Sequence, residues 1–222
     1  MTLSRRALLA AGATGTLAAT AGCLGVALGN KPLEFDSDRV APSDDAVTTA
    51  GYQESDVSED TLERSVELPG GVEREVRASV WRSVYTKEVE YAGQTNEGAV
   101  FAGISIPGMQ IAGRSLNPLE DLSNKELLER FLDQLPSDNG DVSGLTKSES
   151  FGLEVLGTGR TVDVFVGTRQ LNGQPIDIEF KLTSFTHEGD LLVLLGTYPK
   201  VLTAESANAE VLMESAEHPV SN

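Results

Sequence analysis

Leu191-Leu192-Val193-Leu194-Leu195 is an unbroken apolar run, and its reading decides the fold. Such a run fits a central strand buried on both faces. Reading outward, Glu188-Gly189-Asp190 supplies a turn before it, and the chain continues as strand to Tyr198. Upstream, Ile176 to Phe185, Thr161 to Leu171 and Phe151 to Leu156 also read as strands, with Asn172-Gly173 as a two-residue hairpin signal. Gly157-Thr158-Gly159 precedes a strand pattern rather than a helix, so it reads as a turn and not as a phosphate loop. A last helix is expected from Ala204 to Ala216.

The first half is read the same way. Leu33, Phe35 and Val40 sketch a strand, and Ser43-Asp44-Asp45 starts a helix that Gly51 stops. Gln53 to Asp60 is acidic and without periodicity, and is expected to be loop. Leu62 to Leu68 and Val72 to Val84 alternate around Pro69-Gly70-Gly71, giving a hairpin. Val72, Val76, Ala78, Val80 and Val84 form its apolar face, and Glu73, Glu75, Arg77 and Ser83 its wet face. Trp81 and Tyr85 share the polar side, where a helix would cover them. A strand from Ala99 to Ile106 is broken by Pro107-Gly108 and resumes at Met109 to Ile111. Ser123 with Glu126 has capping-box spacing, and Leu127, Leu128, Phe131, Leu132 and Leu135 make a helical stripe that Pro136 ends. Ser137 to Gly144 reads as loop. The expected fold class is α+β: a curved, mainly antiparallel sheet flanked by helices, in a single domain over residues 33–222.

The beginning of the chain reads as a targeting segment. Arg5-Arg6 precede a weakly apolar Ala/Gly/Thr-rich run, a pattern of the twin-arginine export route, with a signal peptide expected over residues 1–22. The run ends in Thr20-Ala21-Gly22-Cys23, where small residues suit a peptidase and the Cys23 thiol suits alkylation by membrane lipid. Thr20 departs from the large aliphatic residue usual at that position. The competing reading is an uncleaved anchor, because Leu24, Val26 and Leu28 prolong the apolar run. Residues 23–32 would form a lipidated tether. The expected location is the extracytoplasmic face of the cell membrane, with membrane lipid as the first partner.

Composition excludes several classes. The formal net charge is −17, and losing Arg5 and Arg6 with the leader makes the remainder two units more negative. That surface repels phosphate backbones, so nucleic-acid binding is excluded. Cys23 is the only cysteine, which leaves no intrachain disulfide or cysteine-based metal cluster. The acid excess fits life at molar salt, where the screening length is about 3 Å.

Arg5-Arg6, Thr20-Ala21-Gly22-Cys23, Gly51-Tyr52, Asn117-Pro118-Leu119, His187-Glu188-Gly189-Asp190 and Tyr198-Pro199 together resemble a family of haloarchaeal twin-arginine-exported lipoproteins of unknown function. The resemblance covers most of the chain and implies no catalytic role. The order of strands and helices is also similar to the PsbP/Mog1-type α/β/α sandwich, a likeness of architecture that does not fix function.

Catalytic motifs are lacking. His187 and His218 are the two histidines, and no Gly-x-Ser-x-Gly elbow accompanies them; Gly113-Arg114-Ser115 is not one. No catalytic residue and no cofactor are expected. His187, Glu188 and Asp190 offer one nitrogen and two carboxylates to a metal, although a plain hairpin explains the same letters. His187 and Glu188 would diverge on an extended strand unless the turn bends them together. Trp81 could line an apolar groove with Tyr85 and Tyr91, and Asn117-Pro118 could shape a binding loop, but core packing or a helix-covered face and a plain turn are the simpler accounts. The expected function is a non-catalytic module that binds a protein or small ligand at the envelope. The alternative is a metal-assisted hydrolase using the His187–Asp190 turn.

Overall fold

The computed structural model describes residues 31–68, 71–91, 94–111, 114–133, 142–171 and 173–220. Arg5, Arg6, Thr20 and Cys23 lie outside the described residues, as do Pro69, Gly70, Leu135, Pro136 and Asn172.

The main sheet is open and mainly antiparallel. Its strands are β1 (Leu33–Phe35), β3 (Gln53–Leu68), β4 (Val72–Tyr91), β5 (Gln94–Pro107), β8 (Val142–Val155), β9 (Thr158–Leu171), β10 (Gln174–His187) and β11 (Asp190–Pro199). They run in the order β1-β4-β5-β11-β10-β9-β8, and β3 also pairs with β4. β2 (Ala41–Pro42) pairs with β12 (Ala216–Glu217), and β6 (Gln110–Ile111) with β7 (Arg114–Ser115). Three helices complete the described fold: α1 (Asp44–Ala50), α2 (Asn124–Leu132) and α3 (Thr203–Glu214).

β11 lies between β5 and β10, as its sequence requires, and Leu191 to Leu194 are all buried. Side chains alternate along a strand, so these residues serve two cores. Leu192, Leu194 and Tyr198 join Phe101, Tyr85, Phe185 and Val162 with Ala46 and Ala50 of α1 and Ala209, Leu212 and Met213 of α3. Leu191 and Val193 join Ile106, Phe165, Ile178, Phe180 and Leu182 with Leu127 and Leu128 of α2. Helices therefore cover both faces of this part of the sheet. The ends of α1 and α2 follow their sequence signals. Ser43 accepts the Ala46 N–H, Gly51 stops α1 at φ 75°, and Ser123 with Glu126 forms a complete capping box.

Three local expectations are corrected. Gln53 to Asp60 is strand, not loop, because β3 is held by backbone pairing and cross-strand polar contacts rather than by burial. Arg39 lies 2.5 Å from Glu54, Arg82 lies 3.0 Å from Asp56, and Ser55 Oγ donates to the Val84 carbonyl at 3.2 Å. A strand exposed on both sides carries no hydrophobic period to read. Ser83, assigned to a wet face, is fully buried, and Tyr85 beside it enters the α1/α3 core. Helices cover β4 at Tyr85, whereas the half-buried Trp81 joins neither core. Finally, β8 begins at Val142 and β9 at Thr158, each earlier than its apolar letters indicate, because both strand ends are paired but exposed.

By compactness the chain divides into two units. Residues up to Glu34 with Leu62–Arg77 form one, and Phe35–Thr61 with Ala78–Asn222 the other. In the first, Val76 is buried and Arg77 forms an ion pair with Glu63 at 2.8 Å. Both cores and all residues of the site below belong to the second.

Candidate metal centre

The site begins at the β10–β11 hairpin. His187 and Asp190 are its last paired residues, leaving Glu188 and Gly189 as a two-residue loop. Both loop residues have positive φ, 50° at Glu188 and 100° at Gly189, as tight hairpins require. Glycine tolerates this; a glutamate held there costs about 1–2 kcal/mol. The same backbone rotation swings Glu188 out of strand alternation and toward His187. Gly108 packs against this loop so closely that a Cβ on it would lie 2.1 Å from the Gly189 carbonyl oxygen. Only glycine fits there.

His218 arrives from the other end of the chain. It follows β12, whose Ala216 and Glu217 pair with Pro42 and Ala41, and the Val220 N–H donates to the Arg39 carbonyl at 2.9 Å. The His218–Pro219 peptide is cis. These contacts hold the imidazole with its side chain 1% exposed.

Asp190 sits behind it. Its Oδ2 is 3.3 Å from His218 Nε2, accepts the Asp38 N–H at 2.9 Å and lies 3.4 Å from Ser105 Oγ. Below, Ser37 Oγ lies 2.8 Å from the Ser79 carbonyl and 3.1 Å from that of Ser105. Burial pushes the Asp190 carboxyl above its ordinary value, against the pull of the Asp38 N–H and His218.

The outcome is a cluster of His187, Glu188 and His218, each offering one ligand atom, all within 4.8 Å of one another. The two imidazole rings meet edge to face, with centroids 5.6 Å apart. Ligand atoms that each lie about 2.1 Å from a tetrahedral zinc ion are about 3.4 Å apart. Binding would therefore draw the cluster in by up to about 1.4 Å, and of its three side chains Glu188 is the exposed one. His218 Nδ1 is buried and has no hydrogen-bond partner among the described residues. An imidazole nitrogen left this way costs about 1–3 kcal/mol, which a bound cation would recover.

Of the sequence-predicted ligands, the structure brings together His187 and Glu188, while Asp190 lies outside that group with its Oδ2 3.3 Å from His218 Nε2. His218 was missed because it is 31 residues beyond His187 and follows a strand of two residues, too short to show a pattern. Trp81 is half-buried on β4, opposite Ser105 in register. Asn117 is buried; its Oδ1 accepts the Leu119 N–H at 3.0 Å, an Asx turn, while Pro118 is exposed.

A second polar group lies at an open cavity of about 410 Å³ lined by Lys87, Glu88, Val201, Leu202, Thr203 and Glu205 among others. There Lys87 Nζ contacts Glu205 at 2.6 Å, and Glu205 also accepts from Tyr52 and Asn208 at 3.1 Å. Its buried carboxylate is fully paired, so it reads as structure.

These features define an antiparallel α+β domain with a two-histidine, one-glutamate cluster at a hairpin turn. The chain belongs to the family described as a domain of unknown function, DUF6517, which matches residues 39–217. No curated protein matches the sequence. Among solved structures, a Pseudomonas aeruginosa protein of unknown function, PA94, is similar at 10% identity and TM-score 0.35, over 72% of this chain and 99% of its own. LpqN, involved in cell envelope biogenesis of Mycobacterium tuberculosis, is similar at 13% identity and TM-score 0.28, over 78% of this chain and 94% of its own. No helix among the described residues is long and apolar enough to cross a membrane.

Proposed function

We propose that this chain is a lipid-anchored, extracytoplasmic binding module that holds a metal ion at His187, Glu188 and His218. The observation that carries the metal is the convergence of those three side chains within 4.8 Å, one of them with a buried unpartnered nitrogen. The anchor rests on Arg5-Arg6 and Thr20-Ala21-Gly22-Cys23, and the haloarchaeal habitat on the net charge of −17. Helices on both faces of the sheet support the PsbP/Mog1-type sandwich as its architecture. The domain over residues 33–222 faces the medium, held by membrane lipid at Cys23, and no nucleic acid binds it.

A second reading has its own observation. Two histidines and a glutamate leave a zinc ion one position for water, the arrangement a metal-assisted hydrolase needs. The binding-module reading is preferred because the sequence carries no further catalytic motif.

The test uses the full chain with Cys23→Ser, so that no thiol competes, purified in molar salt and stripped with chelator. Reconstitution with Zn²⁺ should leave about one equivalent bound after desalting, and His187→Ala or His218→Ala should abolish it. Zinc retention that both substitutions leave intact would overturn the metal assignment. Ester or phosphoester hydrolysis by the zinc-loaded protein, lost in His187→Ala, would replace the binding-module reading with the hydrolase. For the anchor, mass spectrometry of the membrane fraction should find lipid on Cys23, and Cys23→Ser should release the chain; an unmodified Cys23 on an intact amino terminus would remove it.

A further inference from the structure

We infer that Asp190 is the positioning residue of this centre: it fixes the tautomer of His218 so that Nδ1 faces the ion, which makes the site selective for zinc-class transition ions. The inference rests on the metal reading above.

An imidazole has two nitrogens, and the hydrogen bond made by one decides what the other can do. His218 Nε2 faces the Asp190 carboxylate at 3.3 Å. A carboxylate only accepts, so Nε2 carries the proton and Nδ1 keeps its lone pair. That lone pair belongs to the buried nitrogen that has no partner among the described residues. A proton on Nδ1 instead would set the Nε2 lone pair against a carboxylate oxygen. Asp190 cannot turn away, because the Asp38 N–H and Ser105 Oγ hold the same oxygen. This is the outer-shell carboxylate that orients a metal-bound histidine and raises its basicity.

The ion's class follows from ligands and charge. Two imidazole nitrogens suit zinc, nickel, cobalt and copper, whereas calcium and magnesium take oxygen. Glu188 and Asp190 contribute two negative charges across the inner and outer shells, which balance a dication. Asp190 is absent from the converging set, so its carboxylate is free to act from behind.

The experiment uses the stripped full chain with Cys23→Ser. Long-range ¹H–¹⁵N spectra should show His218 as the Nε2–H tautomer before any metal is added. Titration should rank Zn²⁺ and Co²⁺ far above Ca²⁺ and Mg²⁺. Asp190→Asn, which keeps an oxygen for the Asp38 N–H, should weaken Zn²⁺ by about 10–100-fold. An Nδ1–H tautomer in the wild type, with Zn²⁺ bound equally well by Asp190→Asn, would overturn the inference while leaving the metal site standing. If Asp190→Asn fails to fold, the wild-type tautomer alone decides. Ca²⁺ binding as tight as Zn²⁺ would overturn the ion class, and the absence of any metal binding would overturn the parent reading instead.

Discussion

Gly108→Ala should damage both stability and the site, although Gly108 carries no chemistry. Its new Cβ would lie 2.1 Å from the Gly189 carbonyl oxygen, and the obstacle is backbone, not a flexible side chain. An ordinary carbon–oxygen contact is about 3.2 Å or more, so the hairpin loop or the segment after β5 must move by about 1 Å. Insertions of this kind cost about 1–3 kcal/mol, and for a domain of this size each kcal/mol lowers Tm by about 2–4 °C. The displaced loop carries Glu188 between His187 and Asp190, so zinc affinity should fall as well. Gly152→Ala is the control: a Cβ there meets nothing within 4 Å and its φ is not positive, so it should be neutral or slightly stabilising. Chemical denaturation in high salt measures both. A Gly108→Ala protein within about 0.5 kcal/mol of wild type, inside the range of ordinary surface changes, would refute the close approach and the rigidity assigned to the turn.

Leu192→Ala removes a fully buried side chain from the middle of β11 and should cost about 2–5 kcal/mol in denaturant unfolding; a loss under about 1 kcal/mol would contradict its central place. Ser123→Ala deletes the capping-box hydroxyl of α2 and should cost about 0.5–2 kcal/mol, read in the same assay. Tyr52 is pushed above its ordinary value by burial and by Glu205, and Tyr198 by burial and Glu179. An acid whose folded value is raised keeps its proton after the unfolded chain has lost it, so stability should fall as pH rises above about 10. Phenolate absorbance at Tyr52 should therefore appear only above pH 10 in the folded protein; earlier ionisation, judged against Tyr52→Phe, would contradict the buried contact.

How much was legible in the sequence depends on how each part is held. Strands that bury side chains announced themselves, as in Leu191 to Leu195, where every letter reports a core contact. The caps of α1 and α2 were equally readable, because Ser43, Gly51 and the Ser123–Glu126 pair act within a few residues. β3 and the exposed end of β8 were not, since backbone pairing leaves no trace in composition. The site followed the same division. His187 and Glu188 are sequence neighbours, so their pairing is legible, and the left-handed backbone at Glu188 supplies the bend that an extended strand forbids. His218 comes to them through the short β2–β12 pairing and a single hydrogen bond to Arg39, which only the folded chain reveals. A carboxylate beside a histidine invites a ligand role for Asp190, while its contacts with Asp38, Ser105 and His218 come from residues far along the chain and show only in the fold.

The most direct measurement is anomalous diffraction from crystals of the zinc-loaded protein, with data collected on both sides of the zinc edge. The account predicts one strong peak about 2.1 Å from His187, from Glu188 and from Nδ1 of His218, with Asp190 outside bonding distance. A peak elsewhere, or none at a turn where both histidines keep their present distance, would contradict it.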